Sequence, residues 1–290
     1  MSPAGRLRQQ LLNGEFIVAP GAYDCLSARA VELAGFSAIY MTGMGTSASR
    51  LGLPDYGLAT MSEMVANASA MATTVKIPII ADADTGYGNE LNMARTVREY
   101  ERHGAAGIHI EDQVFPKKCG HLDKKQVIPQ KDFVSKIRAA VIARDSPDFI
   151  IIARTDCNSS MGFEEAIARA NAALDVGADL ALVEAPESMA QLEDIPQRVH
   201  GPCVLNILLG GKSPLLSLQE VNSLGYRVVL LSDVLLCAAI TAYDAALATV
   251  RASRGPLHFP NTLAPKDIFQ RLGAEQWDKL RTEQEEEVVI

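Results

Sequence analysis

Eight short runs of apolar and β-branched residues recur along the chain, at 16–19, 37–42, 77–82, 107–111, 149–154, 180–184, 203–207 and 227–231. They are continuously apolar without strict alternation, which suits strands covered on both faces, as in parallel sheets. Segments with helical spacing lie between them. Phe163, Ala166, Ile167, Ala170 and Leu174 form a single stripe, as do Met93, Val97 and Tyr100. Gly35, Gly104, Gly177 and Gly225 punctuate helix-to-strand junctions, where a C-cap favours glycine. Eight strand–helix units of about 30 residues predict an α/β fold, a (β/α)8 TIM barrel. A doubly wound open sheet is the alternative. No Pro/Gly/Ser-rich linker divides the chain, so 1–290 reads as one domain. Within it, 263–283 reads as an additional C-terminal helix and 284–290 as an acidic tail.

Composition narrows the function. The 48% hydrophobic share supplies a large core and excludes a disordered chain. With 35 acidic against 27 basic residues, the net charge of −8 leaves no electrostatic footprint for sequence-independent nucleic-acid binding. No apolar run approaches the roughly 20 residues of a membrane span, and the opening residues carry no apolar signal core. The five cysteines, at 25, 119, 157, 203 and 237, are odd in number and scattered, unlike a disulfide framework. An acidic, soluble, cytoplasmic protein is expected, with an organellar matrix left open and neither nucleic acid nor membrane as partner.

A barrel carries its chemistry at the C-terminal ends of its strands. The polar residues there are Tyr40, Thr42 and Gly43 after the second run, Asp82 and Asp84 after the third, and His109, Glu111 and Asp112 at the fourth. Arg154 and Asp156 follow at the fifth, Glu184 at the sixth and Asn206 at the seventh. Charged groups are costly in an apolar barrel unless paired or coordinated, so packing alone does not explain them. Asp82 and Asp84 point the same way in an extended segment and, with Glu111, make an all-oxygen cluster suited to a hard cation such as Mg²⁺. A calcium loop is rejected: counting from Asp82, Tyr87 and Met93 stand where Gly and Glu are required.

The polar stretch 113–128 follows the fourth run and holds Cys119 beside Lys117, Lys118 and His121. Neighbouring cations and an imidazole are expected to lower that thiol's pKa toward neutrality, where it exchanges protons efficiently. The other four cysteines lie in apolar or helical surroundings and read as packing residues. No Cys-x-x-Cys or paired-His spacing supports zinc. Gly43-Met44-Gly45-Thr46-Ser47-Ala48 matches the loose dinucleotide pattern, but a loop rather than a helix start is expected after it, with no acidic strand end about 20 residues on. Its glycines instead suit close approach of backbone N–H groups to a carboxylate.

These residues resemble the isocitrate lyase/phosphoenolpyruvate mutase superfamily over essentially the whole chain. The resemblance rests on Leu51-Gly52-Leu53-Pro54-Asp55, Asp82-Ala83-Asp84-Thr85-Gly86-Tyr87-Gly88, His109-Ile110-Glu111-Asp112-Gln113, Lys117-Lys118-Cys119-Gly120-His121 and Ala153-Arg154-Thr155-Asp156. The Lys-Lys-Cys-Gly-His segment marks the branch that cleaves carbon–carbon bonds. The absence of a long insertion points to the short methylisocitrate lyase/2,3-dimethylmalate lyase type. The resemblance implies Mg²⁺, with Mn²⁺ as a substitute, held directly by Asp82 and largely through water by Asp55, Asp84 and Glu111. It implies a catalytic set of Cys119, Arg154, Glu184 and His121, and a small-carboxylate site lined by Tyr40, Thr42, Gly43, Met44, Gly120 and Asn206. It further implies a gating loop at 113–128 and a homotetramer, a dimer of dimers that exchange their terminal helices. After Asn206 the chain reads Ile207-Leu208-Leu209-Gly210-Gly211-Lys212-Ser213-Pro214 where methylisocitrate lyases carry Ile-Thr-Glu-Phe-Gly, which weakens a tricarboxylate substrate.

The implied reaction is retro-aldol (Claisen-type) cleavage of a 2-hydroxy di- or tricarboxylate, with Arg154 and backbone donors stabilising charge and Cys119 protonating the carbanion. Hydrolysis of oxaloacetate to oxalate and acetate on the same scaffold is the nearest alternative. A phosphonate-acting mutase or hydrolase fits less well because the cysteine motif is present. A non-catalytic barrel predicts a lost carboxylate or cysteine, and none is missing.

Overall fold

The computed structural model describes residues 1–122, 124–259 and 262–287. Strands β1 (Ile17–Ala22), β2 (Ile39–Met41), β3 (Ile79–Asp82), β4 (Gly107–Glu111), β5 (Ile150–Thr155), β6 (Leu180–Val183), β7 (Cys203–Ile207) and β8 (Val228–Leu231) pair in that order. All pairings are parallel, and β8 returns to β1 to close the barrel. The closed sheet is the predicted (β/α)8 architecture and rules out the open one. Each predicted run overlaps its strand.

Two buried faces explain why those runs are apolar throughout. Successive side chains alternate across a strand, and here both sides are covered. Tyr40, Ile80, Ile152, Leu182, Val204 and Leu230 form the inner cluster, which Leu7 of the N-terminal helix Pro3–Leu12 joins. Met41, Ala81, Ile110 and Ala153 face outward to helices, as do Val183, Leu205 and Val229. Helix Glu90–Arg102 buries Met93, Val97 and Tyr100, and helix Phe163–Asp175 buries Ala166, Ile167 and Ala170, so both predicted stripes are core faces. Gly35, Gly104, Gly177 and Gly225 all adopt positive φ where their helices stop.

The inward parity positions the site. Continuing each inner row by two residues turns Tyr40 to Thr42, Ile80 to Asp82 and Asp84, and Ile152 to Arg154 and Asp156. It likewise turns Leu182 to Glu184, Val204 to Asn206 and Leu230 to Ser232. Apolar filling ends and polar groups begin at one level of the barrel. Strand register then fixes neighbours: Asp82 pairs with His109, and Glu111 with Arg154.

By internal contacts the chain divides into two compact units, Met1–Ala238 and Ala239–Ile290. The second holds most of helix Val234–Ala252, then helices Pro265–Arg271 and Ala274–Glu287. The single helix expected over 263–283 is therefore interrupted, at Gly273, whose φ of +83° is left-handed. The acidic tail expected from 284 is helical as far as Glu287, and 288–290 lie outside the described residues. Helix Val234–Ala252 has 19 residues and a mean hydropathy of 1.5, so by length and composition it is apolar enough to cross a membrane, which corrects the expectation that no run is.

Candidate active site

The inward polar groups converge on a pocket of about 330 Å³ at the C-terminal mouth of the barrel. Of the predicted residues, Tyr40, Thr42, Met44, Asp55, Asp82, Cys119, Gly120, His121, Arg154, Glu184 and Asn206 line it. Gly43, Asp84 and Glu111 stand behind this lining. The Gly43 N–H donates to Asp82 Oδ2 at 3.1 Å, and the Asp84 N–H to Asp82 Oδ1 at 2.9 Å. A β-carbon on Gly43 would lie 2.4 Å from Asp82 Oδ2, so the approach requires glycine. The short helix Gly43–Thr46 begins here, and the carboxylate its backbone meets is the protein's own; the loop expected after the motif starts only beyond the helical turn Ser47–Leu51.

The described residues of the segment 113–128 are pinned at its base, and Cys119, Gly120 and His121 line the pocket. Gln113 bridges Val127, the Val114 N–H donates to Gln126 O at 2.8 Å, and the Ile128 N–H to Asp112 O at 2.9 Å. Gln113 also exchanges two hydrogen bonds with the Lys118 backbone, at 2.7 and 3.0 Å. Gly120 sits so close beneath that a β-carbon would lie 2.4 Å from Arg154 Nη2 and 2.6 Å from Glu184 Oε1.

Arg154 is buried among carboxylates. Its Nε and Nη2 donate to Asp156 at 2.8 and 3.1 Å, while Nη2 lies 3.4 Å from Glu111 Oε2 and 3.5 Å from Glu184 Oε1. Asn206 donates to Glu184 Oε1 at 2.9 Å and accepts from the Ser232 hydroxyl. His121 Nδ1 accepts from the Lys212 backbone N–H at 3.0 Å. That places a neutral ring's proton on Nε2, which points at Glu184 Oε1 from 3.4 Å. Ala185, directly after Glu184, holds φ at +53°, a strained value for alanine of the kind that clusters at functional sites.

The carboxylates divide by environment. Burial alone would raise Asp82, yet His109, 3.3 Å away, and the Lys117 ammonium hold it well below the usual carboxylate range. Tyr40 bridges His109 at 2.7 Å and Asp82 at 3.3 Å. Burial prevails at Asp84, raised to about 6: Lys117 opposes the rise, and the Asp82 and Asp55 charges add to it. It prevails more strongly at Glu111, held well above its ordinary value against Arg154 and Lys117. At Glu184, burial is overcome by Arg154 and His121, and the carboxyl is lowered.

Cys119 departs from the sequence expectation. Lys117 turns away from it and binds Asp55 Oδ1 at 2.6 Å and Asp84 Oδ1 at 2.8 Å. Burial pushes the Cys119 thiol up, only partly offset by a backbone hydrogen bond from His121 and by Arg154. The thiol is thus a reservoir for a proton rather than a ready thiolate. Cys157 and Cys203 pack as expected, with burial raising them to about 11 and about 12. Cys25 is half-buried and Cys237 exposed, so neither is simple filler.

The expected metal set is brought together only in part. Among the described residues, no three His, Cys, Asp or Glu groups form a ready-made cage. The donors still fit a hydrated hard cation. All are oxygens, and both oxygens of the fully buried Glu111 lack a hydrogen-bond partner. Mg²⁺ keeps several waters and takes one or two direct carboxylates, which asks for no cage.

Two contributors were not legible residue by residue. Ser232 follows Leu230 on the inward row, a parity signal available only once β8 is placed. Lys125, a lysine within a polar stretch, carries no signal of its burial against Asp156. The state of Cys119 is measurable: site-resolved alkylation of the protein by iodoacetamide across pH should give Cys119 a midpoint above the ordinary thiol value of about 8.5. A midpoint near neutrality would contradict the burial argument.

The family model described as phosphoenolpyruvate phosphomutase matches residues 7–251. A 2,3-dimethylmalate lyase of Eubacterium barkeri is 46% identical over 230 residues, 79% of this chain and 80% of that protein. A 2-methylisocitrate lyase of Aeropyrum pernix is 41% identical over 241 residues, 83% of this chain and 77% of that protein. Among solved structures, an oxaloacetate acetylhydrolase bound to 3,3-difluorooxalacetate superposes with a TM-score of 0.94 at 40% identity, covering 98% of this chain and 97% of that one. A phosphonopyruvate hydrolase in complex with oxalate and Mg++ gives 0.88 at 30% identity, covering 97% and 99%. A closed parallel barrel carrying this mouth of paired charges, matched over most of its length to named lyases, belongs to the phosphoenolpyruvate mutase/isocitrate lyase superfamily and is a carbon–carbon bond lyase of it.

Proposed function

We propose that the chain cleaves a 2-hydroxy dicarboxylate of the 2,3-dimethylmalate kind, or a related tricarboxylate such as 2-methylisocitrate, to a 2-keto acid and a carboxylic acid, with Mg²⁺ as cofactor. The observation that carries the reading is a half-buried Cys119 thiol, its pKa raised by burial, at the same pocket as Arg154, Glu184 and Asn206. Asp82, aided by Asp84, Glu111 and Asp55, would hold the ion, which when bound supplies positive charge beside the 2-hydroxyl and its carboxylate. Arg154 and the Met44 backbone receive substrate carboxylate oxygens, while the Gly43 N–H stays on Asp82. The hydroxyl proton passes to the ionised Glu184 carboxylate at the pocket wall, the carbonyl forms, and the C2–C3 electron pair departs onto the carbon next to the second carboxylate. Cys119 delivers its proton to that carbon, and the enclosing segment 113–128 keeps water from intercepting it. His121 and Glu184 fix the shape of the pocket around the departing acid.

Release of 2-keto acid, assayed with Mg²⁺ over dimethylmalate, methylisocitrate, isocitrate and oxaloacetate with a phosphonopyruvate control, tests the reading. Turnover of dimethylmalate above the rest supports it, and turnover of phosphonopyruvate alone would overturn it. Cys119→Ser should retain oxalate binding and lose turnover by about 10²–10⁴-fold, the usual worth of a positioned acid. A second reading, hydrolysis of oxaloacetate to oxalate and acetate, is favoured by the likeness to oxaloacetate acetylhydrolase and is read by oxalate formation in the same panel.

The assembly expected of this family is proposed for the chain as well: a tetramer made of dimers that exchange terminal helices. The second unit leaves Tyr243, Leu247, Phe269 and Trp277 exposed, an apolar surface that a second copy would cover. Sedimentation should therefore give four times the 31.2 kDa chain mass, and a monomer at micromolar concentration would contradict it.

A further inference from the structure

Lys125 lies on the return limb of the segment that carries Cys119, with its side chain only 1% exposed. Its ammonium makes two contacts. One is to the backbone carbonyl of Gly120, between Cys119 and His121. The other is to Asp156 Oδ1 at 3.0 Å. Asp156 is the carboxylate that accepts two hydrogen bonds from Arg154, at 2.8 and 3.1 Å. Asp156 is itself fixed from behind, because its N–H donates to Asp112 Oδ1 at 2.8 Å and Asp112 binds Arg169 at 3.0 Å.

Each bond in this chain has a different role. The Asp112–Arg169 pair anchors the end of β4 to helix Phe163–Asp175, and Asp112 in turn holds the end of β5 through Thr155 and the Asp156 N–H. Asp156 Oδ1 accepts from both Arg154 Nη2 and Lys125, and Oδ2 from Arg154 Nε. Arg169 and Asp112 hold the base of the segment at Ile128, whereas Lys125 connects the platform to the part over the pocket, through a charge-assisted bond to the residue beside the thiol. With that bond made, the acid and the guanidinium are set relative to each other. Without it, Arg154 keeps Asp156, while Gly120 loses its tie.

We propose that Lys125 is a positioning residue for the reaction, locking the Cys119–His121 segment onto the carboxylate that orients Arg154. The turnover part rests on the lyase reading above. The binding part does not, because it is measured with oxalate and Mg²⁺ as probes. For Lys125→Met the structure predicts oxalate affinity within about threefold of the parent, since Arg154 stays paired. Loss of amide hydrogen-exchange protection over 113–128 in the oxalate-bound protein is expected with it. On the best substrate of the panel, kcat should fall about 10²-fold with KM little changed, the scale expected when a reacting group is misplaced by about 1 Å. Lys125→Arg, which keeps the charge, should regain much of both readouts.

Parent-like protection and kcat in Lys125→Met would overturn the proposal. So would a proportional loss of oxalate binding, kcat and thermal stability, which marks a general structural role. Should the parent turn over none of the panel, the lyase reading fails on its own account, and the protection measurement still decides the role of Lys125.

Discussion

A guanidinium buried at the end of a barrel strand must be neutralised where it stands, and much of the site follows from how Arg154 achieves this. Asp156 binds it in two places, and Glu111 and Glu184 approach from adjacent strands. Buried carboxylates in turn call for partners, because an unpaired buried charge costs several kcal/mol, and Glu111, whose oxygens have no hydrogen-bond partner, is the exception. Glu184 takes Asn206 and His121, Asp156 takes Lys125, and Asp82 takes His109, Tyr40 and two backbone N–H groups. The network therefore spreads around the mouth from β2 to β8 and reaches up into the segment above it.

Carboxylates outnumber cations in this network, and burial registers the surplus. Asp84 is raised to about 6 and Glu111 is held well above its ordinary range. A divalent ion brought in with a dianionic substrate would supply and take up charge together, which reconciles an acidic mouth with an anionic ligand. The same low-dielectric setting acts on Cys119. The sequence context suggests a thiol activated by lysines, whereas burial keeps it protonated. For the proton donor proposed above, the second state is the useful one.

How much was readable in advance varied with the physics involved. The barrel was legible because eight doubly covered strands leave an unbroken apolar signature, and the helix stripes and C-cap glycines agree with it. The site residues at strand ends were legible because charge in an otherwise apolar row has no packing explanation. Where long-range geometry decides, the sequence was silent or misleading. Lys117 sits two residues before Cys119, but its flexible stem carries the charge to Asp55 and Asp84. Lys125 and Ser232 acquire meaning only from what the fold places opposite them. The break at Gly273 was missed because one glycine in a polar helical pattern is tolerated as often as it interrupts.

The central claim is that Cys119 gives its proton to one face of a carbanion held in a closed, water-poor pocket. Cleavage of dimethylmalate in D₂O, followed by analysis of the propionate formed, tests it most directly. The account predicts one deuterium at the α-carbon in a single configuration, with the reaction lost in Cys119→Ala. Propionate of mixed configuration, or undiminished cleavage without the thiol, would contradict it.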